Sequence, residues 1–114
     1  MDVIEILQIV AAIATALVGL VSLAVPEKVK GFTGLDVSTA RGLTEMRAIL
    51  GGSFVGLGIA PLILNEPAAY AMLGIVYLAT AVARVIGIVI DRSGETSNYA
   101  SVAWEVLFGI LLLL

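Results

Sequence analysis

Neither cysteine nor histidine occurs in the 114 residues of this chain. Without thiols there is no disulfide, no thiol redox pair and no thiolate metal site. Without imidazole there is no histidine ligation of haem, zinc or a chlorophyll-type pigment, and no side-chain base tuned to neutral pH. Charge is scarce as well. Only 13% of residues are ionisable, against about a quarter in a soluble domain. The net charge of −3 is thinly spread, with no basic run suited to nucleic acid. No serine stands beside a plausible base. These gaps remove most redox, metalloenzyme and hydrolase chemistry, and the chain is expected not to be an enzyme.

Hydrocarbon fills the space that charge leaves. The sequence is 61% hydrophobic with a mean hydropathy of +1.13. Four apolar runs stand out, at about 3–25, 43–64, 68–90 and 99–114. The first three reach the roughly 20 residues that a helix needs to cross ~30 Å of hydrocarbon. The last spans roughly 24 Å at the helical rise and is expected to begin earlier, near Ser97, or to sit in a thinner bilayer. Pro26 ends the first run and Asn65-Glu66-Pro67 forms a tight turn after the second. The expectation is an all-α integral membrane bundle of four transmembrane helices, forming a single domain over 1–114. Acidic Asp2 and Glu5, with a long apolar run behind them, argue against a cleavable signal peptide.

The cations set an expected orientation. Lys28, Lys30 and Arg41 fall in the first connection and Arg92 in the third. The N-terminal end and the 65–67 turn carry Asp2, Glu5 and Glu66 instead. By the positive-inside rule the basic connections are cytoplasmic and both termini lie outside. The first connection should open with a short helical turn, Pro26-Glu-Lys-Val-Lys, with proline at its first position. Phe32 and Leu35 are expected to dip into the headgroup layer.

Four charges lie inside or at the edge of the spans: Glu45, Arg47, Arg84 and Glu105. Ionised side chains in lipid are costly and are seldom left without a partner. Arg84 stands seven residues before Asp91, hence ~10 Å below that end of its helix. Arg47 and Glu105 lie at similar depth on their own spans. Glu45 is four residues from Arg41, so those two share a face. Arg47, two residues further on, points the other way. The expectation is therefore an exposed Arg41–Glu45 pair and an inner set of Arg47, Arg84 and Glu105 that ties spans two, three and four together or holds a ligand. Tyr77 and Thr80 on the third span are candidates to line a polar pocket. Tyr99 and Trp104 fit an interfacial aromatic belt.

Small residues crowd the second span. Ala48, Gly52, Gly56 and Ala60 recur every four residues, a groove that admits a close helix backbone. Gly51 and Gly58 instead share the face of Arg47 and are expected to open space around it. The groove is expected to receive a neighbouring helix of the same chain, or else a second protein.

The run Arg41-Gly-Leu-Thr-Glu-Met-Arg-Ala-Ile-Leu-Gly-Gly, ending at Gly52, resembles the signature of a bacterial four-helix membrane family catalogued as domain of unknown function 4345. The features shared with that family fall here on Pro26, Glu45, Arg47, Gly51, Gly52, Arg84 and Glu105. The resemblance covers nearly the whole chain and implies four spans. It implies no activity, substrate or cofactor.

Three functions then compete. Small size, short loops and the small-residue groove favour an accessory or scaffold subunit in the bacterial inner membrane, with lipids, other membrane subunits or further copies of itself as partners. The alternative is a small proton-coupled transporter or channel, for which Arg47 and Arg84 would suit an anionic or zwitterionic solute. A lipid-directed enzyme would have only Glu105 and the arginines to work with. No cofactor is assigned, although apolar packing of a carotenoid, quinone or porphyrin stays open.

Overall fold

The computed structural model describes residues 1–36 and 38–114, without the side chains of residues 30–32. All the elements it describes are helical. Helix α1 covers Val3–Ala24, α2 Pro26–Thr33 and α3 Ala40–Met46. A π-helical turn over Arg47–Gly52 then leads without a break into α4, Ser53–Leu64. Helix α5 covers Pro67–Asp91 and α6 Thr96–Leu113. Counting α3, the π turn and α4 as one continuous helix, four helices among the described residues are long and apolar enough to cross a bilayer. The chain is a multi-pass membrane protein.

The ends follow from local chemistry. Asp2 caps α1 by accepting from the Glu5 N–H at 2.8 Å, and Thr39 caps α3 by accepting from Gly42 N–H at 2.9 Å. Pro26 forces Val25 out of the helical region and then starts α2 at its favoured first position, as the sequence implies. Asn65 ends α4 in a left-handed conformation (φ 52°), which asparagine tolerates better than most residues. Pro67 then opens α5. The second span begins at Ala40, earlier than expected, because polar residues that hydropathy discounts still continue the helix; the fourth begins at Thr96, beside the early start expected near Ser97. Leu35 is exposed, whereas the expectation for Phe32 falls outside the described side chains.

The helices form two antiparallel hairpins. In the first, α1 lies along the second span. In the second, α5 lies along α6. They meet through a core of Ala11, Ala12, Tyr70, Leu73, Tyr77 and Leu112, near the end that holds the 65–67 turn. The buried stripe of α1 consists of Ala11, Ala12, Thr15, Ala16, Gly19 and Ser22. Its Val10, Ile13, Leu17, Leu20 and Val21 face outward. A water-soluble bundle would reverse that pattern. Here lipid solvates the large apolar side chains, and small residues bring the backbones together.

Glycine contacts show how close that approach is. A Cβ added to Gly19 would stand 2.5 Å from the Val55 nitrogen and 2.7 Å from the Gly51 oxygen. One added to Gly58 would stand 2.5 Å from the Ala12 oxygen, and one on Gly51 would meet Leu23 at 2.9 Å. This corrects the expected roles of the two small-residue faces. Gly51 and Gly58 do not open space around Arg47; they form the contact with α1. The stripe through Ala48, Gly52 and Gly56 is exposed, and nothing lies within 4 Å of a Cβ built on Gly56; Ala60, at its far end, is partly covered. The deciding partner surface is Ala12, Ala16 and Gly19 on α1, a small-residue row that matches one face of α4 and leaves the other free.

Candidate functional site

Arg84 and Glu105 form the central polar feature. The Arg84 Nε donates to Glu105 Oε1 at 2.9 Å, and Nη2 donates to Oε2 at 2.8 Å. Two parallel bonds from a planar fork to a carboxylate give both charge compensation and fixed geometry. The Glu105 side chain is only 8% exposed and that of Arg84 32%. Gly74 lies against Gly109 and Leu112, which draws α5 and α6 close; Glu105 stands one turn before Gly109, and the long Arg84 side chain, ten residues beyond Gly74, reaches across to it.

Asn98 completes the arrangement. Its Oδ1 accepts from Arg84 Nη1 at 3.2 Å, and its Nδ2 donates to the Ser93 carbonyl at 2.9 Å. The α5–α6 connection is thereby fastened to the ion pair. Nothing in the sequence singles out Asn98 except its position one turn and three residues before Glu105.

Arg47 does not join this group, which corrects the expected inner set. Its Nη1 donates to the Leu23 carbonyl at the end of α1. The π turn provides the physical reason. The Ser53 N–H reaches back five residues to the Ala48 carbonyl, so the helix is locally wider and Arg47 sits on the α1 side beside Gly51. Spans two, three and four are therefore not tied by one cluster. Arg47 fastens the first hairpin and Arg84–Glu105 the second. Arg41 and Glu45 pair at 3.4 Å on the surface, with side chains 83% and 53% exposed.

A second polar contact joins the hairpins. Thr15 Oγ1 donates to the Ala11 carbonyl at 2.8 Å and lies 2.5 Å from the Tyr77 hydroxyl. The Tyr77 ring meets Phe108 edge-on at 5.5 Å, and Phe108 stacks on Trp104 at 3.9 Å. Trp104 thus packs one face on Phe108 and is 42% exposed. Thr80 does not share a pocket with Tyr77; it is exposed and bonds back to the Val76 carbonyl. In the sequence Gln8 is only a polar residue near a helix end. Its Nε2 donates to the Leu111 carbonyl at 3.0 Å, holding α1 to α6.

Chemically, this set can bind and fasten. The Glu105 oxygens both accept from Arg84, and among the described residues no three carboxylates gather as a metal site would require. A protein-family model described as Domain of unknown function (DUF4345) matches residues 3–114. No curated protein and no solved structure matches the chain.

Proposed function

This chain belongs to the DUF4345 family, and from that premise we propose that it is a non-catalytic accessory or scaffold subunit of a membrane complex. The observation that carries the reading is the uncovered small-residue face of the second span. Gly56 has open space where a side chain would stand, and Gly52 meets only the Arg47 carbonyl at 3.9 Å. A helix with such a groove can accept another backbone closely. The groove is free for a partner subunit or a second copy because α1 occupies the opposite face.

Inner-membrane placement with both termini outside belongs to the same reading. It is supported by Lys28, Arg41 and Arg92 lying at the end opposite the 65–67 turn. The non-catalytic part is supported by Arg84 and Glu105 being turned into each other. Proton-coupled transport has less support, since Glu105 is committed to two bonds and Arg47 is directed to a backbone carbonyl.

Purification in mild detergent tests the proposal. A partner chain or a homo-oligomer should co-elute, and Gly56→Leu should release it while the monomer stays folded. A protein that always runs as a lone monomer would defeat the reading. Loss of pH-driven flux in vesicles carrying Glu105→Gln, with fold intact, would favour the carrier instead.

A further inference from the structure

The end that bears the 65–67 turn holds a hollow of about 610 Å³ between α1, α5 and α6. That volume lies within the ~300–1,000 Å³ typical of small-molecule sites. Its floor is apolar, with Ile9, Ala71 and Leu112, and Asp2, Glu5 and Glu66 stand around it. Among the described residues no lysine or arginine side chain lines it.

Tyr70 supplies an independent sign of a ligand. The residue is only 8% exposed, it lines the hollow, and its hydroxyl bonds to no described residue. No fully buried side-chain polar atom lacks a partner among the described residues. The Tyr70 hydroxyl therefore opens onto the hollow. Gln8 lines it too, with its amide nitrogen held by the carbonyls of α6. The Gln8 amide oxygen is left as an acceptor.

The sign of the charge selects the ligand. Two helix N-termini and two C-termini meet at this end, and their partial charges of about half a unit each offset one another. The three side-chain carboxylates remain, and Asp2 is partly engaged in capping α1. A metal ion would need the carboxylates gathered closely, which they are not. An organic cation can span them. We propose that this hollow binds an organic ammonium group carrying an apolar body. Glu5 and Glu66 supply the counter-charge, the Tyr70 hydroxyl and Gln8 amide oxygen accept the N–H bonds, and the floor takes the hydrocarbon. The site lies at headgroup depth, so the ammonium belongs either to a free amine or to an ethanolamine headgroup.

A matched series of probes on one cage tests this: 1-aminoadamantane, adamantan-1-ol and adamantane-1-carboxylate. Each is titrated into the full chain in phosphatidylcholine nanodiscs, with empty discs subtracted. The amine should bind saturably, and at least about tenfold more tightly than the carboxylate, as several carboxylates of one sign require. The double variant Glu5→Gln with Glu66→Gln should weaken the amine roughly fivefold or more. Tyr70→Phe should weaken it about threefold with helix content unchanged. Arg41→Gln, at the opposite end, should leave it unaltered. Equal binding of amine and carboxylate, or indifference of the amine to the Glu5 and Glu66 changes, overturns the site. Replacing half the lipid by phosphatidylethanolamine assigns the source: competition points to the headgroup, and an unchanged affinity to a free amine.

Discussion

The Arg84 guanidinium holds Glu105 through two nitrogens at 2.8 and 2.9 Å, and with the Asn98 bond this pair fastens α5 to α6 on the side of their glycine contact that faces the 91–96 connection. Removing one partner strands the other in a low-dielectric setting, at a cost of about 3–5 kcal/mol for a fully buried pair. A third of Arg84 remains accessible, which places Glu105→Ala toward the lower end.

Charge and shape can be separated in that pair. Arg84→Lys keeps the charge but loses the fork, so it should be markedly destabilising; Arg84→Met with Glu105→Leu removes both charges and should cost less than either single truncation. Unfolding in mixed micelles measures all of these. A double variant as unstable as the sum of the singles would mean that the pair contributes nothing as a pair.

Two glycines on one helix should respond in opposite ways. Gly58→Ala drives a methyl into the α1 backbone at Ala12 and Ala16, an overpacking that costs about 1–3 kcal/mol. Gly56→Ala meets no atom and should stabilise the monomer by up to ~1 kcal/mol through helix propensity. Thermal unfolding of both variants in detergent decides the matter. If Gly56→Ala also destabilises a confirmed monomer, the stripe is covered within the chain after all.

Much of this fold is legible in the amino-acid sequence alone. The four spans, the stop at Pro26 and the Asn65-Glu66-Pro67 turn follow from hydropathy and backbone chemistry that act locally. The Arg41–Glu45 pair follows from helical spacing. Arg84 and Glu105 are recognisable as partners because opposite charges at equal depth in lipid have few other solutions. The partner of Arg47 is not recognisable, because it is a backbone carbonyl, identical at every residue. The π turn compounds this: Ala48 to Ser53 breaks the regular period on which face assignments rest, and no residue type announces it. The choice between the two small-residue faces depends on α1, whose Ala12, Ala16 and Gly19 have meaning only once the pairing is known. Asn98, Gln8 and Tyr70 act through tertiary position and leave no local pattern.

The Thr15–Tyr77 contact is a hydroxyl link between the two hairpins. Such interhelical bonds in membranes contribute about 0.6 kcal/mol and at most ~1.7. Thr15 also bonds its own helix at the Ala11 carbonyl, so Tyr77→Phe leaves it with a partner. The expected loss is therefore near the lower figure, and Tyr77→Ala, which also abandons the Phe108 ring contact, should cost about 3 kcal/mol or more. A double-mutant cycle with Thr15→Val isolates the hydroxyl contribution; a coupling above ~2 kcal/mol would show that the link does more than join packed helices.

Arg47 tests the separation of the hairpins directly. Leu23 lies in the last turn of α1, where carbonyls lack intrahelical donors and carry partial negative charge. A guanidinium donor there satisfies one carbonyl and opposes the dipole, a charge-assisted bond of about 1.5–3 kcal/mol. Arg47→Met should therefore speed amide exchange in the last turn of α1 and in α2 by about tenfold or more. Exchange in α5 and α6 near Arg84 should stay as it is, because the Arg84–Glu105 pair is built without Arg47. Equal acceleration at Arg84 and Glu105 would restore a single shared charge cluster and contradict the two-hairpin account.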